Sequence, residues 1–218
     1  MDSTAIITAL TGYANADNVK GMARYGINPT NTLGVNIHTL RKIAKQTGKN
    51  HALALELWAT GIHEAKILAS LIDDPACVTD EQLEKWVLDI DSWDVCDQVC
   101  SNLVDKTPYA FEKAVVWSQR DEEFVKRAGF VLMAALAVHD KKATDEVFLK
   151  FFPLIKAGSS DERNFVKKAV NWAIRQIGKR NESLRQKAIA LAIEIEATGT
   201  KPARWIAKDA LRELRRLK

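Results

Sequence analysis

The feature that most constrains the fold of this chain is a five-residue pattern that occurs twice. Residues 124–128 read FVKRA and residues 165–169 read FVKKA, an offset of 41 residues, and each copy follows an acidic helix start. Apolar residues recur with helical spacing in nearly every segment, and almost no segment alternates as a strand would. The sequence therefore predicts an all-α protein in which a pair of helices is repeated along the chain.

A repeat of this length is typical of HEAT-like proteins, in which each helix pair buries its apolar face by stacking on its neighbours. We predict a single domain over residues 1–218, folded as a HEAT-like helical repeat solenoid, an α-α superhelix with a concave basic groove. The first two predicted helices are residues 4–14 and 36–46. A further predicted helix, residues 145–156, is kinked or ended early by Pro153.

Composition and the cysteine pattern argue against several classes of protein. At 218 residues, with 47% of them apolar, the chain can bury a core without disulfide bonds. Cys77, Cys96 and Cys100 form no CxxC pair, the histidines form no HExxH pattern, and no Walker or Rossmann glycine pattern is present. The N-terminal residues do not resemble a signal peptide, and no stretch approaches about 18 apolar residues. We expect a reduced cytoplasmic protein with no metal, cofactor or membrane span.

The charge of the chain is unevenly distributed. Residues 161–218 hold 15 Lys and Arg against 7 Asp and Glu, whereas the preceding residues hold 17 against 21. A strongly basic end is typical of a protein that binds nucleic acid. A surface selected only for solubility would give the same count.

Basic residues recur at one helical position in the two copies of the repeat. A stripe with the spacing i, i+4, i+7 and i+11 holds three cations and one indole, namely Lys168, Trp172, Arg175 and Lys179. Arg127 occupies the position equivalent to Lys168 in the preceding copy. Cations that recur along one surface suit contact with successive phosphates of nucleic acid. In the alternative interpretation they are solvated side chains whose stems cover apolar neighbours, and Trp172 is a packing residue.

The segment SWDVCD, residues 92–97, lies in a helical pattern and combines an indole with a carboxylate. Trp93 and Asp97 are four residues apart, so they share one helix face. A carboxylate beside an aromatic face can stabilise a positive charge that develops on a bound substrate. The alternative is a half-buried tryptophan next to a solvated aspartate.

Five separated segments together resemble the AlkD-type DNA alkylation repair glycosylases, a family of HEAT-like repeat proteins. They are residues 22–25 (MARY) before 33–35 (LGV), 92–97 (SWDVCD), 126–128 (KRA), 168–175 (KAVNWAIR) and 203–208 (ARWIAK). They occur in the order found in the family and span the chain from about Met22 to the C-terminus.

The resemblance implies roles for individual residues. Asp97 is implied to be the catalytic carboxylate, and Trp93 and Trp172 are implied to flank the lesion nucleotide. Arg127 matches the family's arginine near the active site.

Other residues are implied to bind the substrate. Tyr25 would complete the aromatic wall near the N-terminus, and Arg175 matches a further arginine that contacts DNA. Lys168 and Lys179 belong to the basic stripe and are expected to contact DNA with it. Cys96 departs from the family pattern, which has an aliphatic residue before the carboxylate, and we expect it to pack rather than react.

The resemblance also implies a reaction, the excision of cationic purines of the 3-methyladenine and 7-methylguanine type. A purine alkylated on a ring nitrogen is already cationic, so it leaves without a strong general acid, and the difficult charge is the oxocarbenium that grows on the deoxyribose. A fixed carboxylate at Asp97 would stabilise that charge. We expect a monofunctional DNA N-glycosylase that acts as a monomer on double-stranded DNA containing alkylated bases, in the cytoplasm and on the nucleoid when bound.

Two other functions stay open from the residues alone. A HEAT-like scaffold could bind structured or damaged nucleic acid without cutting glycosidic bonds. A protein-binding solenoid would show little salt-sensitive affinity for DNA, and the basic stripe argues against it. The joint presence of an indole pair, a carboxylate and an arginine, namely Trp93, Trp172, Asp97 and Arg127, favours the enzyme.

Overall fold

The computed structural model describes residues 2–217, which are helical apart from short connections and form no strand. The helices are α1 (Ser3–Gly12), α2 (Ala16–Arg24), α3 (Ile37–Thr47), α4 (His51–Ala59), α5 (His63–Ile72), α6 (Asp80–Leu88), α7 (Trp93–Asn102), α8 (Ala110–Ser118), α9 (Glu123–His139), α10 (Asp145–Leu149), α11 (Phe152–Gly158), α12 (Asn164–Gly178), α13 (Glu182–Ala197) and α14 (Lys201–Leu214), with a 3₁₀ turn at Val104–Lys106. The prediction of an all-α protein is confirmed. No helix within the described part of the chain is long and apolar enough to cross a membrane.

Two helical segments differ from the sequence prediction. Helix α2 was not predicted; it is short, and its apolar residues Val19 and Met22 are only half-buried. The Asn15 side chain begins it by accepting hydrogen bonds from the main-chain nitrogens of Asp17 and Asn18. The predicted helix at residues 145–156 is two helices, α10 and α11. Pro153 lies in the first turn of α11, where its missing N–H leaves no helical bond unmade, so the break precedes it.

The chain divides after Thr107 into two compact units. In the first, α3, α4 and α7 pack against α5, and α1 contacts α4. Trp58 of α4 and Trp86 of α6 are both buried and stack face to face, with ring centroids 4.0 Å apart. The single domain over residues 1–218 stays a prediction.

In the second unit, α12 lies beside α9 and runs in the same direction. Near the start of both helices, the rings of Phe124 and Phe165 stack with their centroids 5.7 Å apart. At the other end of the two helices, Arg180, which follows α12, donates a hydrogen bond of 2.8 Å to the main-chain oxygen of Ala137 in the last turn of α9. The 41-residue offset seen in the sequence is therefore close to the register in which these two helices contact each other. Helix α9 is buried continuously from Arg127 to Ala137.

Helix α14 lies beside α12 in a second fixed register. The pairs Lys167 with Trp205, Asn171 with Asp209, and Arg175 with Glu213 are each separated by 38 residues. Because successive pairs advance by one turn on both helices, α12 and α14 are parallel to each other. This register joins the predicted basic stripe of α12 to the acidic residues of α14.

Candidate functional site

The sequence-predicted site residues are divided between the two units. Tyr25, Trp93 and Asp97 belong to the first unit. The second unit carries the remaining residues, which are Arg127 on α9 and Lys168, Trp172, Arg175 and Lys179 on or at the end of α12. Each set is described by itself.

Helix α7 presents Trp93 and Asp97 on the face that is turned away from the core of the first unit. Its opposite face carries Val95, Cys96 and Val99, which are at most 3% exposed. Trp93 and Asp97 are half-buried. The spacing of four residues thus brings the indole and the carboxylate to one partly accessible surface, as the sequence predicts.

A hydrogen bond connects Trp93 to Tyr25. The indole nitrogen of Trp93 donates to the main-chain oxygen of Tyr25 at 3.1 Å. Tyr25 directly follows α2 and is 75% exposed. The structure therefore brings together two aromatic residues that are 68 positions apart in the chain and that the sequence analysis assigned to one wall.

The segment that follows Tyr25 is held by a carboxylate that the sequence analysis did not identify. Glu64 of α5 is fully buried and accepts hydrogen bonds from three consecutive main-chain nitrogens, those of Leu33, Gly34 and Val35, at 2.9, 2.6 and 3.1 Å. Hydrogen bonds from N–H groups to a charged acceptor are among the stronger ones in proteins. The only signal in the sequence was an acidic residue near the start of a predominantly apolar helix.

The same segment is also attached to the start of α7. The main-chain nitrogen of Asn28 donates to Ser92 Oγ at 3.0 Å, and the Asn28 side-chain amide donates to Asp91 Oδ2 at 2.5 Å. Ser92 and Asp91 immediately precede Trp93. The main chain on both sides of the Trp93–Tyr25 hydrogen bond is therefore fixed by further polar contacts.

A buried histidine orients the first turn of α7. His63 Nε2 lies 2.8 Å from Asp94 Oδ2, and His63 is 4% exposed. Burial alone would lower the pKa of His63, but the hydrogen bond with Asp94 and the negative charges of Asp94, Glu64 and Asp91 raise it. Asp94 Oδ1 is buried and has no hydrogen-bond partner among the described residues. The sequence analysis missed this pair.

Both cysteines of α7 are packing residues, as the sequence analysis expected for Cys96. Cys96 and Cys100 are at most 1% exposed. Burial raises the pKa of the Cys100 thiol, and the hydrogen bond with Cys96 and the charges of Asp97 and Asp105 act in the same direction. The thiol is thus kept in its neutral form. In the part of the chain that the structure describes, no group of three or more His, Cys, Asp or Glu side chains could hold a metal ion.

The equivalent positions of the two repeat copies have different environments in the second unit. Arg127 is 5% exposed, and its Nη1 donates to the main-chain oxygen of Phe165 at 2.6 Å. Lys168 is exposed, and Trp172 on the next turn is half-buried. Arg127 therefore links α9 to α12, whereas Lys168 is accessible to a ligand.

Arg175 and Lys179 form ion pairs with α14. Arg175 Nη1 lies 3.1 Å from Asp209 Oδ2, and its Nε donates to Glu213, which also pairs with Lys179. Burial would raise the pKa of Glu213, but the hydrogen bonds from Lys179 and Arg175 hold it below its usual value. Both cations therefore already have carboxylate partners on α14. Their predicted contact with DNA stays a prediction, and a phosphate there would compete with two carboxylates.

Comparisons with known proteins identify a family model, a relative and a solved structure that resemble this chain. Residues 6–214 match the family model of the DNA alkylation repair enzymes. The uncharacterized protein Lin0241 of Listeria innocua serovar 6a is 27% identical over 189 residues, which cover 85% of this chain and 82% of that protein. A solved structure described as a new family of proteins related to the HEAT-like repeat DNA glycosylases, with affinity for branched DNA structures, superposes with a TM-score of 0.79. It is 22% identical and covers 89% of this chain and 83% of that chain.

The structural likeness shows the fold, and the prediction of a HEAT-like helical repeat is confirmed. The family model spans nearly all of the chain, including every residue of the candidate site. The chain belongs to the DNA alkylation repair enzyme family.

Proposed function

We propose that this protein is a monofunctional DNA glycosylase that excises cationic alkylpurines, of the 3-methyladenine and 7-methylguanine type, from double-stranded DNA. The observation that carries the proposal is the pairing of Trp93 with Asp97 on one accessible face of α7, with the indole fixed by the main chain of Tyr25. Membership of the DNA alkylation repair enzyme family supports it. The protein is proposed to act as a monomer in the cytoplasm.

The proposed chemistry needs one carboxylate and little else. The bond between C1′ of the deoxyribose and the purine nitrogen breaks, and its electron pair neutralises the cationic purine. Positive charge develops on the sugar, where the carboxylate of Asp97 stabilises it. A water molecule, oriented by the same carboxylate, forms the new bond to C1′. The water releases a proton to the carboxylate or to solvent. Trp93 adds attraction between its ring and the cationic purine or sugar, about 0.5 to 2 kcal/mol.

The residues of the second unit are proposed to bind the same DNA. Lys168 is exposed on α12 and would contact a phosphate, with Trp172 next to it on the same stripe. Arg175 and Lys179 would contact DNA with the same cationic groups that form ion pairs with Asp209 and Glu213. Arg127 is buried, so its proposed role is to set the position of α12 through its hydrogen bond to Phe165.

A second candidate is a protein that binds structured DNA without excising bases. It is favoured by the similarity to a structure described as having affinity for branched DNA. The basic residues that follow Asp161 suit both candidates, because phosphate contact is common to them.

The test is the release of purine base from duplex DNA that carries 7-methylguanine, measured with all DNA bound. Asp97→Asn should lower the single-turnover rate by about two to three orders of magnitude, the usual effect of removing one electrostatic group from an active site. Asp17→Asn is the matched control, because Asp17 is an exposed aspartate on α2 of the same unit. Binding without release from either 7-methylguanine or 3-methyladenine DNA would reject the glycosylase and favour the second candidate.

A further inference from the structure

The outer face of α14 is exposed and almost uniformly cationic. Its inner face buries Ile206, Ala210 and Leu214 in the second unit. The exposed cations follow one another at intervals of three or four residues, and they are Lys201, Arg204, Lys208, Arg212 and Arg215, the last directly after the helix. One helix face thus carries a row of cations about 5 to 6 Å apart.

The acidic residues of α14 are turned away from this face. Asp209 and Glu213 are half-buried and accept from Asn171, Arg175 and Lys179. Among the exposed cations, Arg212 forms an ion pair with Asp209. Because the two carboxylates are directed toward α12, they neutralise little of the charge at the N-terminal half of the outer face.

An exposed indole interrupts this row of cations. Trp205 is 42% exposed, whereas Trp58, Trp86 and Trp117 are at most 3% exposed. The ammonium group of Lys167 lies 4.9 Å from the centroid of the Trp205 ring. The cation–π contact with Lys167 favours a defined position for the ring, and the ring remains accessible to a ligand.

A cavity of about 320 Å³ opens beside this ring, lined by Glu162, Lys167, Lys201, Pro202 and Trp205. Its volume is at the lower end of the range for sites that bind small ligands or single groups of a larger one. Two lysines and an indole at its wall match the combination by which proteins bind single-stranded nucleic acid, with cations on the backbone and an aromatic ring under a base.

We propose that the outer face of α14 is a second DNA-binding surface, on which Trp205 stacks on an unpaired base and Lys201, Arg204 and Lys208 bind the adjoining phosphates. The proposal rests on the proposed function only in taking DNA as the ligand. It adds that DNA with a single-stranded arm is bound more tightly than blunt duplex. An acidic protein would be attracted by the same cations, but it would not require an accessible indole.

The first test compares the affinities for a blunt duplex and for the same duplex with a single-stranded arm, by fluorescence anisotropy of labelled DNA. The unmodified protein should prefer the arm. Trp205→Ala should weaken binding of the arm-bearing DNA by roughly 5- to 150-fold, the range for one stacked base, and leave the blunt duplex unchanged. Trp205→Phe should keep most of the preference. Tyr13→Ala, which removes another exposed aromatic ring, should change neither affinity.

The second test separates specific phosphate contact from general charge. The double variant Lys201→Gln/Lys208→Gln should reduce the slope of log affinity against log salt by about 1.4 for the arm-bearing DNA, since each single-strand contact contributes about 0.7. The double variant Lys141→Gln/Lys142→Gln loses the same charge from an exposed turn and should leave the slope nearly unchanged.

Several results would overturn the proposal. One is that the unmodified protein shows no preference for the arm-bearing DNA. A second is that the two double variants lose the salt slope equally. A third is that polyglutamate, but not unlabelled single strand, fully displaces the arm-bearing DNA. Base release from 7-methylguanine duplex by the Trp205 variants is measured in parallel. Release that persists while arm binding is lost supports both proposals, whereas arm binding without release from the unmodified protein rejects the glycosylase alone.

Discussion

The indole nitrogen of Trp93 donates its hydrogen bond to the main chain of Tyr25, not to a side chain. The position of the Trp93 ring is therefore independent of the residue type at position 25, provided that the main chain keeps its path. The Tyr25 side chain, which is 75% exposed, is left accessible to a ligand.

This arrangement predicts different results for substitutions at the two positions. Trp93→Phe keeps an aromatic ring but loses a hydrogen bond, so the free energy of unfolding should fall by about 0.5 to 1.5 kcal/mol. Base release should also slow, because the ring is no longer held in one position. Trp93→Ala should slow it further, because the attraction of the ring for the cation is lost as well. Tyr25→Ala should weaken DNA binding without a change in the free energy of unfolding. Equal rates for Trp93→Phe and the unmodified protein would show that the hydrogen bond does not matter.

The pairing of His63 with Asp94 predicts a pH-dependent stability. The folded pKa of His63 is raised, so its protonated form stabilises the fold fully below the unfolded value of about 6.5, and this contribution is lost as the pH rises through the folded pKa. His63→Gln should lower the free energy of unfolding by about 1 to 3 kcal/mol at pH 5.5 and by less at pH 8.5. Urea denaturation at both pH values measures this, with exposed His38→Gln as the control. A loss independent of pH would contradict the charged pair.

The ion pairs of Arg175 predict that stability and DNA binding respond differently along α12. Arg175→Gln leaves Asp209 and Glu213 short of a cation, so it should lower the free energy of unfolding by about 1 to 3 kcal/mol. Lys168→Gln removes an exposed charge and should change stability by less than about 0.5 kcal/mol. It should instead reduce the salt dependence of duplex binding by about 0.9 in slope. Loss of stability in Lys168→Gln would show that Lys168 is a structural residue.

The approach of α8 to α9 predicts a strict requirement for glycine at position 129. A Cβ atom there would lie well inside van der Waals contact with the main chain of Ser118, which cannot move without shifting α8. Gly129→Ala should therefore lower the free energy of unfolding by about 1 to 3 kcal/mol. Gly21→Ala in α2, where a Cβ meets nothing within 4 Å, should stabilise by about 0.4 to 1 kcal/mol. Thermal denaturation of both variants provides the comparison.

The fold could be predicted from local signals, since apolar periodicity and the 41-residue repeat both report helices that pack on their neighbours. Helix α2 was missed although Ala16, Val19 and Ala23 have helical spacing, because so short a helix offers only a brief apolar stripe. Its clearest signal was the capping residue Asn15. The 38-residue register of α12 and α14 could not be predicted, because only the contacts between their side chains reveal it.

The candidate site could be predicted only in part, because contacts between distant side chains leave no pattern in the sequence. The spacing of Trp93 and Asp97 reports one helix face, and the structure agrees. Arg127 and Lys168 are equivalent in sequence, yet one is buried and the other exposed, because α9 is enclosed by helices where α12 has an open face. The roles of Glu64 and His63 depend on partners about 30 residues away and leave no local pattern.

The hydrogen bonds from three consecutive amides to Glu64 have a consequence for the rate of hydrogen exchange. Residues 33–35 have no regular secondary structure, yet their amide hydrogens can exchange with solvent only when this carboxylate and α5 separate from them. The segment should therefore exchange as slowly as a helix interior and open together with α5 as one cooperative unit. Residues 33–35 are therefore attached to α5 in the folded state. The placement of Tyr25, and of Trp93 which contacts it, should depend on α5 being folded.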